Sequence, residues 1–391
     1  MTTLATDYDA MDEGAFRAML RAFIHAECTP NLRFQGRRVR WPEIAPWMRA
    51  LSARGWLAPA WPVAHGGMGL GPAKLVAYHD EFDSAGVARG PELGIVMLGM
   101  LLIRHGTPAQ QAHYLPRILR CEDLWCQGYS EPGAGSDLAA LRTRAVRDGD
   151  HWVIDGQKTW TTVAQDSTDI FLLVRTDPAA PRHAGISFLL ARMDTPGITV
   201  RPIRTLAGED EFCEVFFDQV RVPAANIVGQ PNQGWSMAKA LLGFERITIG
   251  SPKAAQVALR ALAELGRRTG ACADAAFRDQ YTRLHLDVAD HVDNYERFAA
   301  VLKQGGTLGP EVSVLKIWVS ETQQRITEYM LEVAQEYAAV MGPSPIGGDA
   351  GGASDPLGFF WVSRPTTIYG GANEIQKNIL AKAVLGLGRA R

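Results

Sequence analysis

The residue of this sequence best suited to chemistry is Glu245, within "WSMAKALLGFERITIG". If this segment is helical, the helical period places Glu245 on one stripe with four apolar residues, Trp235, Ala238, Leu242 and Ile249. Burial among apolar side chains would raise its pKa from about 4.3 toward neutrality, where a general base is effective. Arg246 points about 100° away and is a poor salt-bridge partner on the same helix. Two interpretations stay open, a general base and a salt-bridged structural carboxylate.

A second candidate is the loop "YSEPGAGSD", residues 129–137. It begins with hydroxyl side chains and contains two glycines, which allow backbone N–H groups to approach a ligand closely. Its spacing follows neither the Rossmann nor the P-loop pattern, so a tight turn without ligand is the alternative. The glycine-rich stretch at 66–71 is predicted to be only a loop.

The stretch "GQKTWTT", residues 156–162, ends a β-rich segment and sets the ring of Trp160 beside several hydroxyls. This combination suits stacking on a planar ring while hydrogen-bonding its heteroatoms. Packing of Trp160 in the core is the alternative interpretation.

The elements that position these residues follow from the apolar pattern. Three-to-four-residue spacing predicts helices from about Met11 to Cys121, including a buried helix at 93–103. Short β-rich runs separated by Gly, Asp and Pro predict a β-sandwich or barrel between about Asp123 and Val228. Long helical segments near 234–264, 274–304 and 309–340, with a last helix from about Asn373, predict a bundle. The expected domains are 1–122, 123–230 and 231–391.

Composition narrows the class of protein. The chain has 391 residues, 47% of them hydrophobic and 21% charged, with a formal net charge of -2, which gives no electrostatic reason to expect nucleic acid binding. The longest apolar run is about half the length of ~20 residues that a membrane-spanning helix needs. No secretory signal is visible, and a cytoplasmic protein is expected. Five scattered cysteines without a close pair favour reduced thiols over a disulfide framework or a zinc site.

Together, five stretches resemble the acyl-CoA dehydrogenases in order and spacing: "YSEPGAGSD", "GDHWVIDGQKTWTT", "VFFDQVRVP", "LLGFERITIG" and "TIYGGANEIQKNILAKAVLG". The resemblance spans nearly the whole chain. It implies an α+β fold with an N-terminal α-helical domain, a middle β-barrel domain and a C-terminal four-helix bundle. It also implies FAD as cofactor and dehydrogenation of the Cα–Cβ bond of an acyl-CoA thioester, in which a glutamate removes the α proton and flavin N5 accepts a hydride.

The resemblance further implies the residues of the site. Those implied to contact FAD are Gln127, Tyr129, Ser130, Trp160, Thr162, Tyr369, Ala372 and Glu374. Among them, the backbone of Tyr129 and Ser130 and the Ser130 hydroxyl would contact the flavin pyrimidine edge, Trp160 would stack near the dimethylbenzene side, and Thr162 would bond N5. Ser136 and Arg246 are implied to lie at the CoA moiety and its entrance.

The residue after Tyr369 departs from the commonest family pattern, because Gly370 stands where the catalytic glutamate is usual. A glycine cannot abstract a proton. Some members carry the base at the helix position of Glu245, which is therefore the expected base, with Glu374 the runner-up. The Gly370 N–H can still donate to the thioester carbonyl.

In many homotetrameric members of the family, two motifs bind the adenosine half of the FAD held by a neighbouring subunit. These motifs are not recognisable here at residues 266–274 and 335–348. This absence predicts a heteromer with a second dehydrogenase-like subunit, with homo-oligomers as the alternative. The chain also resembles the bacterial branch of the family that acts on steroid-derived, dicarboxylic or other bulky acyl-CoAs. An electron-transferring flavoprotein is the expected acceptor. Two alternative functions stay open, a flavin-dependent oxidase or monooxygenase on the same fold and a non-catalytic partner subunit.

Overall fold

The computed structural model describes residues 6–33, 38–88, 90–340 and 355–388, without the side chains of residues 240 and 242–248. The chain forms two compact units that meet in sequence between residues 243 and 244. No helix among the described residues has the length and apolarity to cross a membrane.

The first unit begins with helices, as predicted. They are α1 (Glu13–Glu27), α2 (Trp41–Arg54), α3 (Pro72–Ser84), α4 (Met100–His105) and α5 (Pro108–Leu119). A π-helical segment, Gly94–Gly99, leads directly into α4. Because Leu98, Leu101 and Leu102 are buried there, the predicted buried helix at 93–103 is confirmed. The stretch at 66–71 is a loop, also as predicted.

The β-rich part contains eight strands. They are β1 (Trp125–Gly128), β2 (Arg144–Asp148), β3 (His151–Thr162), β4 (Asp169–Arg175), β5 (Ile186–Arg192), β6 (Ile198–Ile203), β7 (Phe212–Pro223) and β8 (Ile227–Val228). They form one sheet in the order β6-β7-β3-β2-β4-β5-β8, and β1 pairs in parallel with β4. The β-rich runs that the sequence predicts between about Asp123 and Val228 are strands, as expected.

The central strands β4 and β5 bury both of their faces, because successive side chains of a strand point in opposite directions. Phe171 and Phe188 stack at 5.6 Å in the core shared with the N-terminal helices. Leu172 and Leu189 lie in a second core within the β part. The sheet therefore attaches the N-terminal helices rigidly to the strands that hold the candidate site.

The helices of the C-terminal part begin with α6 (Gly234–Ile249), which crosses the boundary between the units. The others are α7 (Lys253–Thr269), α8 (Ala275–Lys303), α9 (Ser313–Ala334), α10 (Pro356–Ser363) and α11 (Asn373–Ile379), followed by a π-helical segment, Leu380–Val384. Helix α9 packs against α7, α8, α10 and α11.

The prediction of one helix over 234–264 was wrong. The helix ends at Ile249, and α7 begins only at Lys253. Pro252 causes the break, because proline lacks an N–H and disfavours helical geometry at the residue before it, which is Ser251.

Candidate active site

Two motifs that are far apart in sequence lie side by side in the first unit. The Thr159 N–H donates to the Ser130 carbonyl at 2.9 Å. The ammonium group of Lys158 donates to the Tyr129 carbonyl at 3.1 Å. The start of the loop 129–137 is therefore fixed against the end of β3.

Trp160 lies at this junction with 59% of its surface exposed. Its ring lies edge-to-face with that of Phe212, at a centroid distance of 6.1 Å. The alternative that Trp160 is a core residue is therefore wrong. Its backbone φ is +59°, and that of β-branched Val163 is +47°. Such conformations cost free energy in residues other than glycine and concentrate at functional sites.

The other residues of this unit that are predicted to contact the cofactor differ in how deeply they are buried. Tyr129 is buried, with its ring edge-on to Phe171 at 5.9 Å. Gln127 is half-buried, and its amide nitrogen lies 3.7 Å from the Met97 sulfur. Ser130 and Thr162 are half-buried. The Tyr129 ring thus packs in the core, and a ligand at this junction would meet chiefly the backbone of residue 129.

The loop beyond Ser130 is open on one side. A Cβ added to Gly133 or Gly135 would meet no atom within 4 Å, so close packing within the described residues does not require these glycines. Ser136 is exposed, and its neighbour Asp137 forms an ion pair with Arg182. The surface beside the loop therefore has room for a ligand.

A buried ion pair underlies the junction, and the sequence analysis did not identify it. Lys158 is fully buried, and its ammonium group lies 2.7 Å from the carboxylate of Glu131, which is 7% exposed. Burial lowers the pKa of Lys158 to about 8, against the opposing effect of Glu131. Burial by itself raises the pKa of Glu131, but the charge and hydrogen bond of Lys158 and further bonds from Arg142 and Thr143 bring it below its usual value. Both groups are charged at neutral pH.

In the second unit, the backbone at Gly370 and Gly371 is left-handed, with φ of +62° and +82°. A Cβ at residue 370 would lie 2.6 Å from Cδ1 of Ile249 on α6. Both the backbone and the space thus favour glycine here. Tyr369, directly before it, is about half exposed.

A polar network lies beneath this glycine turn, and its residues were not predicted from the sequence. The Gln376 amide donates to the carbonyls of Gly370 and Gly371 at 3.3 and 3.4 Å. The buried ammonium group of Lys316 donates to the Asn373 side-chain oxygen at 2.7 Å, and the Asn373 amide donates to the Ser320 hydroxyl at 3.1 Å. Burial lowers the pKa of Lys316 to about 8. These bonds fix the turn onto α9.

Two other predicted residues follow this turn. Ala372 is half-buried and caps the start of α11. Glu374 is exposed in the first turn of α11.

The side chains of Glu245 and Arg246 lie outside the described residues. Their backbone belongs to α6, and residue 245 precedes Ile249 by about one helical turn. Of the predicted apolar stripe, Ala238 is buried and Trp235 is half-buried against the ring of His183 at 4.5 Å.

The chain thus shows a helical, β and helical succession of elements, with an exposed aromatic ring, Trp160, on β3. Three family models match consecutive parts of the chain: acyl-CoA dehydrogenase N-terminal domain over residues 11–122, middle domain over 126–220 and C-terminal domain over 232–385. The chain belongs to the acyl-CoA dehydrogenase family and is an oxidoreductase with the three-part fold of that family.

Individual relatives agree with this assignment. Acyl-CoA dehydrogenase IpdE1 of Mycobacterium tuberculosis (strain ATCC 25618 / H37Rv) is 40% identical over 352 residues, 89% of each chain. The solved structure of the Tcur3481-Tcur3483 steroid ACAD superposes with a TM-score of 0.87 and 29% identity, over 97% of this chain and 100% of that one. The ChsE4-ChsE5 complex from Mycobacterium tuberculosis gives 0.82 and 30%, over 97% and 98%.

Proposed function

We propose that this acyl-CoA dehydrogenase binds FAD and introduces a Cα–Cβ double bond into an acyl-CoA thioester. The observation that supports this proposal best is the juxtaposition of exposed Trp160 with the backbone of Ser130. An isoalloxazine ring has an apolar dimethylbenzene end and a polar pyrimidine edge, and the residues present fit both. FAD, when bound, supplies the acceptor for the hydride that leaves the β carbon.

The chain's own residues then have distinct roles in holding the cofactor. The Trp160 ring stacks beside the flavin, while the Thr162 hydroxyl and the Ser130 backbone and hydroxyl donate hydrogen bonds to its heteroatoms. Ser136, exposed on the open side of the loop, contacts the CoA moiety. The family resemblance also assigns flavin contacts to Gln127, Tyr369 and Ala372.

We assign the α-proton base to Glu245. The contact of Gly370 with Ile249 supports this role, because a side chain at 370 is disfavoured by φ and by space, and residue 245 lies one turn from Ile249 on α6. Glu245 takes the α proton onto its carboxylate as the hydride leaves the β carbon. The Gly370 N–H donates to the thioester oxygen, where negative charge develops.

The test is anaerobic reduction of the flavin by acyl-CoA, followed by its absorbance. Glu245→Gln should retain FAD but lose reduction by about 10⁴-fold or more, because the α proton has no acceptor. Glu374→Gln tests the other candidate base. The control that should reduce normally is Glu264→Gln, because Glu264 is a half-buried glutamate of α7 that pairs with Arg268. Near-normal reduction by Glu245→Gln would remove it from the mechanism.

We further propose that the chain works in a heteromer on a bulky, steroid-derived acyl-CoA. Two observations support this proposal. Two of the similar solved structures are a steroid ACAD with a two-part name and a complex of two proteins. In addition, the adenosine-binding motifs are not recognisable at 266–274 and 335–348. Residues 341–354 lie outside those the structure describes.

The experiment expresses the chain alone and with a dehydrogenase-like product of a neighbouring gene. The FAD content per chain, the mass in solution and flavin reduction by steroid-derived and straight-chain acyl-CoAs are then measured. Full FAD loading of a homotetramer formed by this chain alone would overturn the heteromer.

The oxidase and monooxygenase alternatives are tested by the fate of the reduced flavin. We expect slow reaction with O₂ and fast reoxidation by an electron-transferring flavoprotein. Rapid reoxidation by O₂ would favour the oxidase instead. Absence of flavin reduction by every acyl-CoA, with or without the partner, would favour a non-catalytic subunit.

A further inference from the structure

The buried pair of Glu131 and Lys158 joins three chain segments at the candidate site. Glu131 belongs to the loop 129–137, and Lys158 belongs to β3. The Glu131 carboxylate also accepts the backbone N–H groups of Arg142 and Thr143, at 2.6 and 2.9 Å, just before β2. The Glu131 carboxylate thus holds the loop 129–137 against the residues that directly precede β2.

Such a pair is not explained by stability alone. Removing two charges from water is costly, and an apolar pair of similar size is often as stable or more so. A lysine, however, offers several donors in one small group. Here one of them reaches the Glu131 carboxylate and another reaches the Tyr129 carbonyl, 3.1 Å away.

The bond to the Tyr129 carbonyl sets the direction of a neighbouring donor. In a trans peptide, the C=O of one residue and the N–H of the next belong to one plane and point in opposite directions. No cis peptide bond occurs among the described residues. When Lys158 holds the Tyr129 carbonyl on the buried side, the Ser130 N–H is therefore turned to the opposite side.

The next peptide is held in a similar way. The Ser130 carbonyl accepts the Thr159 N–H at 2.9 Å, and Glu131 exchanges backbone bonds with Ala134 at 3.0 Å in both directions. Two successive carbonyls of the loop are thus bound to β3, one by the backbone and one by the Lys158 side chain. The side-chain bond is the one that a substitution can remove.

We propose that Lys158, anchored by Glu131, is a positioning residue that orients the Tyr129–Ser130 peptide so that the Ser130 N–H donates to the pyrimidine edge of the flavin. This inference rests on the proposed function, because it requires FAD at this junction. Lys158 does not touch the cofactor and acts through the peptide. Loss of the bond leaves that peptide free to rotate, and the flavin loses a preorganised donor where negative charge develops on reduction.

The experiment titrates FAD into apoprotein of the wild type and of Lys158→Met. We expect FAD affinity to fall about tenfold or more, the effect of one oriented hydrogen bond. The matched control is Lys74→Met, since Lys74 is also a buried lysine of this unit that donates to a carbonyl, that of Met11. The control should bind FAD as the wild type does, even if it unfolds at a lower temperature.

A second measurement separates positioning from stability. The reduction potential of the bound flavin in Lys158→Met should become more negative than in the wild type, because the reduced ring loses a donor to its charge, whereas a loss of stability alone leaves the potential unchanged. Unchanged affinity and potential in Lys158→Met would overturn the inference. If the wild type itself binds no FAD, the proposed function fails instead.

If Lys158→Met does not fold, the double variant Glu131→Gln/Lys158→Met replaces it, because removing both charges leaves no unpaired buried ion. We expect this variant to regain apoprotein stability but to keep the weak FAD binding and the more negative potential. Recovery of wild-type affinity and potential in the double variant would contradict a positioning role.

Discussion

Gly370 lies directly against the side chain of Ile249 on α6. A Cβ at 370 would lie 2.6 Å from Ile249 Cδ1 and would need a backbone φ of +62°. Glycine is thus favoured at this turn by its left-handed backbone, and a larger residue at 370 would also require Ile249 Cδ1 to move.

Gly370→Ala should therefore lower the free energy of unfolding by about 1–3 kcal/mol, from the left-handed backbone and the overlap with Ile249. Ile249→Val removes Cδ1 and should recover the part due to overlap. Chemical denaturation of both single variants and the double variant measures the coupling between the two sites. Strictly additive effects would show that the overlap is relieved elsewhere.

Trp160→Ala should change the stability of the apoprotein little, within about 1 kcal/mol, because the ring is mostly exposed. FAD affinity should nevertheless fall about tenfold or more with the loss of a stacking surface. Trp152 on the same strand is buried, so Trp152→Ala should lose about 3–5 kcal/mol. Thermal unfolding and FAD titration compare the two. Unaltered FAD binding by Trp160→Ala would argue against a flavin at this surface.

Asp169, only 2% exposed, should make stability depend on pH. Burial raises its pKa from 3.8 to about 6, opposed by a hydrogen bond from Thr168. Because the folded-state pKa exceeds the unfolded one, the stability contributed by the protonated form is present below about 3.8 and is lost as pH rises through about 6.

Asp169→Asn should therefore raise the free energy of unfolding at pH 7.5. The difference between 3.8 and about 6 sets an upper limit of about 3 kcal/mol, and lost contacts with Thr168 and Arg192 reduce it. The gain should vanish at pH 4. Denaturation at both pH values checks this, and an equal gain at both would rule out titration of Asp169 as the cause.

Asn373→Ala should lower the free energy of unfolding by about 2–4 kcal/mol, since it leaves the buried Lys316 charge without its oxygen partner. The loss of stability caused by Asn373→Ala should become smaller as pH rises through the Lys316 pKa of about 8, because burial costs a neutral amine less free energy than an ammonium group. Asn294→Ala is the control, since the Asn294 amide donates to a carbonyl of its own helix, that of Asp290, and to no charged group among the described residues. Thermal unfolding from pH 7 to 9.5 follows both variants. A deficit that does not depend on pH would exclude the Lys316 charge as its origin.

Much of the fold was predictable because local patterns determine it. Short β-rich runs separated by turn residues identified the strands, and helical spacing identified the buried segment at 93–103. The prediction failed at Gly250–Pro252, where the apolar period continues across a proline that ends the helix. There the backbone geometry of three residues outweighs the side-chain pattern.

The sequence by itself determined which residues can do chemistry here: a carboxylate at 245, a glycine in place of a base at 370, and the ring and hydroxyls of "GQKTWTT". Only the tertiary structure decided how they are held. The pairing of Glu131 with Lys158 and the contact of Gly370 with Ile249 join residues that are 27 and 121 positions apart in the sequence. The exposure of Trp160 depends on which residues surround its side chain. Sequence spacing encodes neighbours along one helix or strand, whereas such contacts depend on packing between elements.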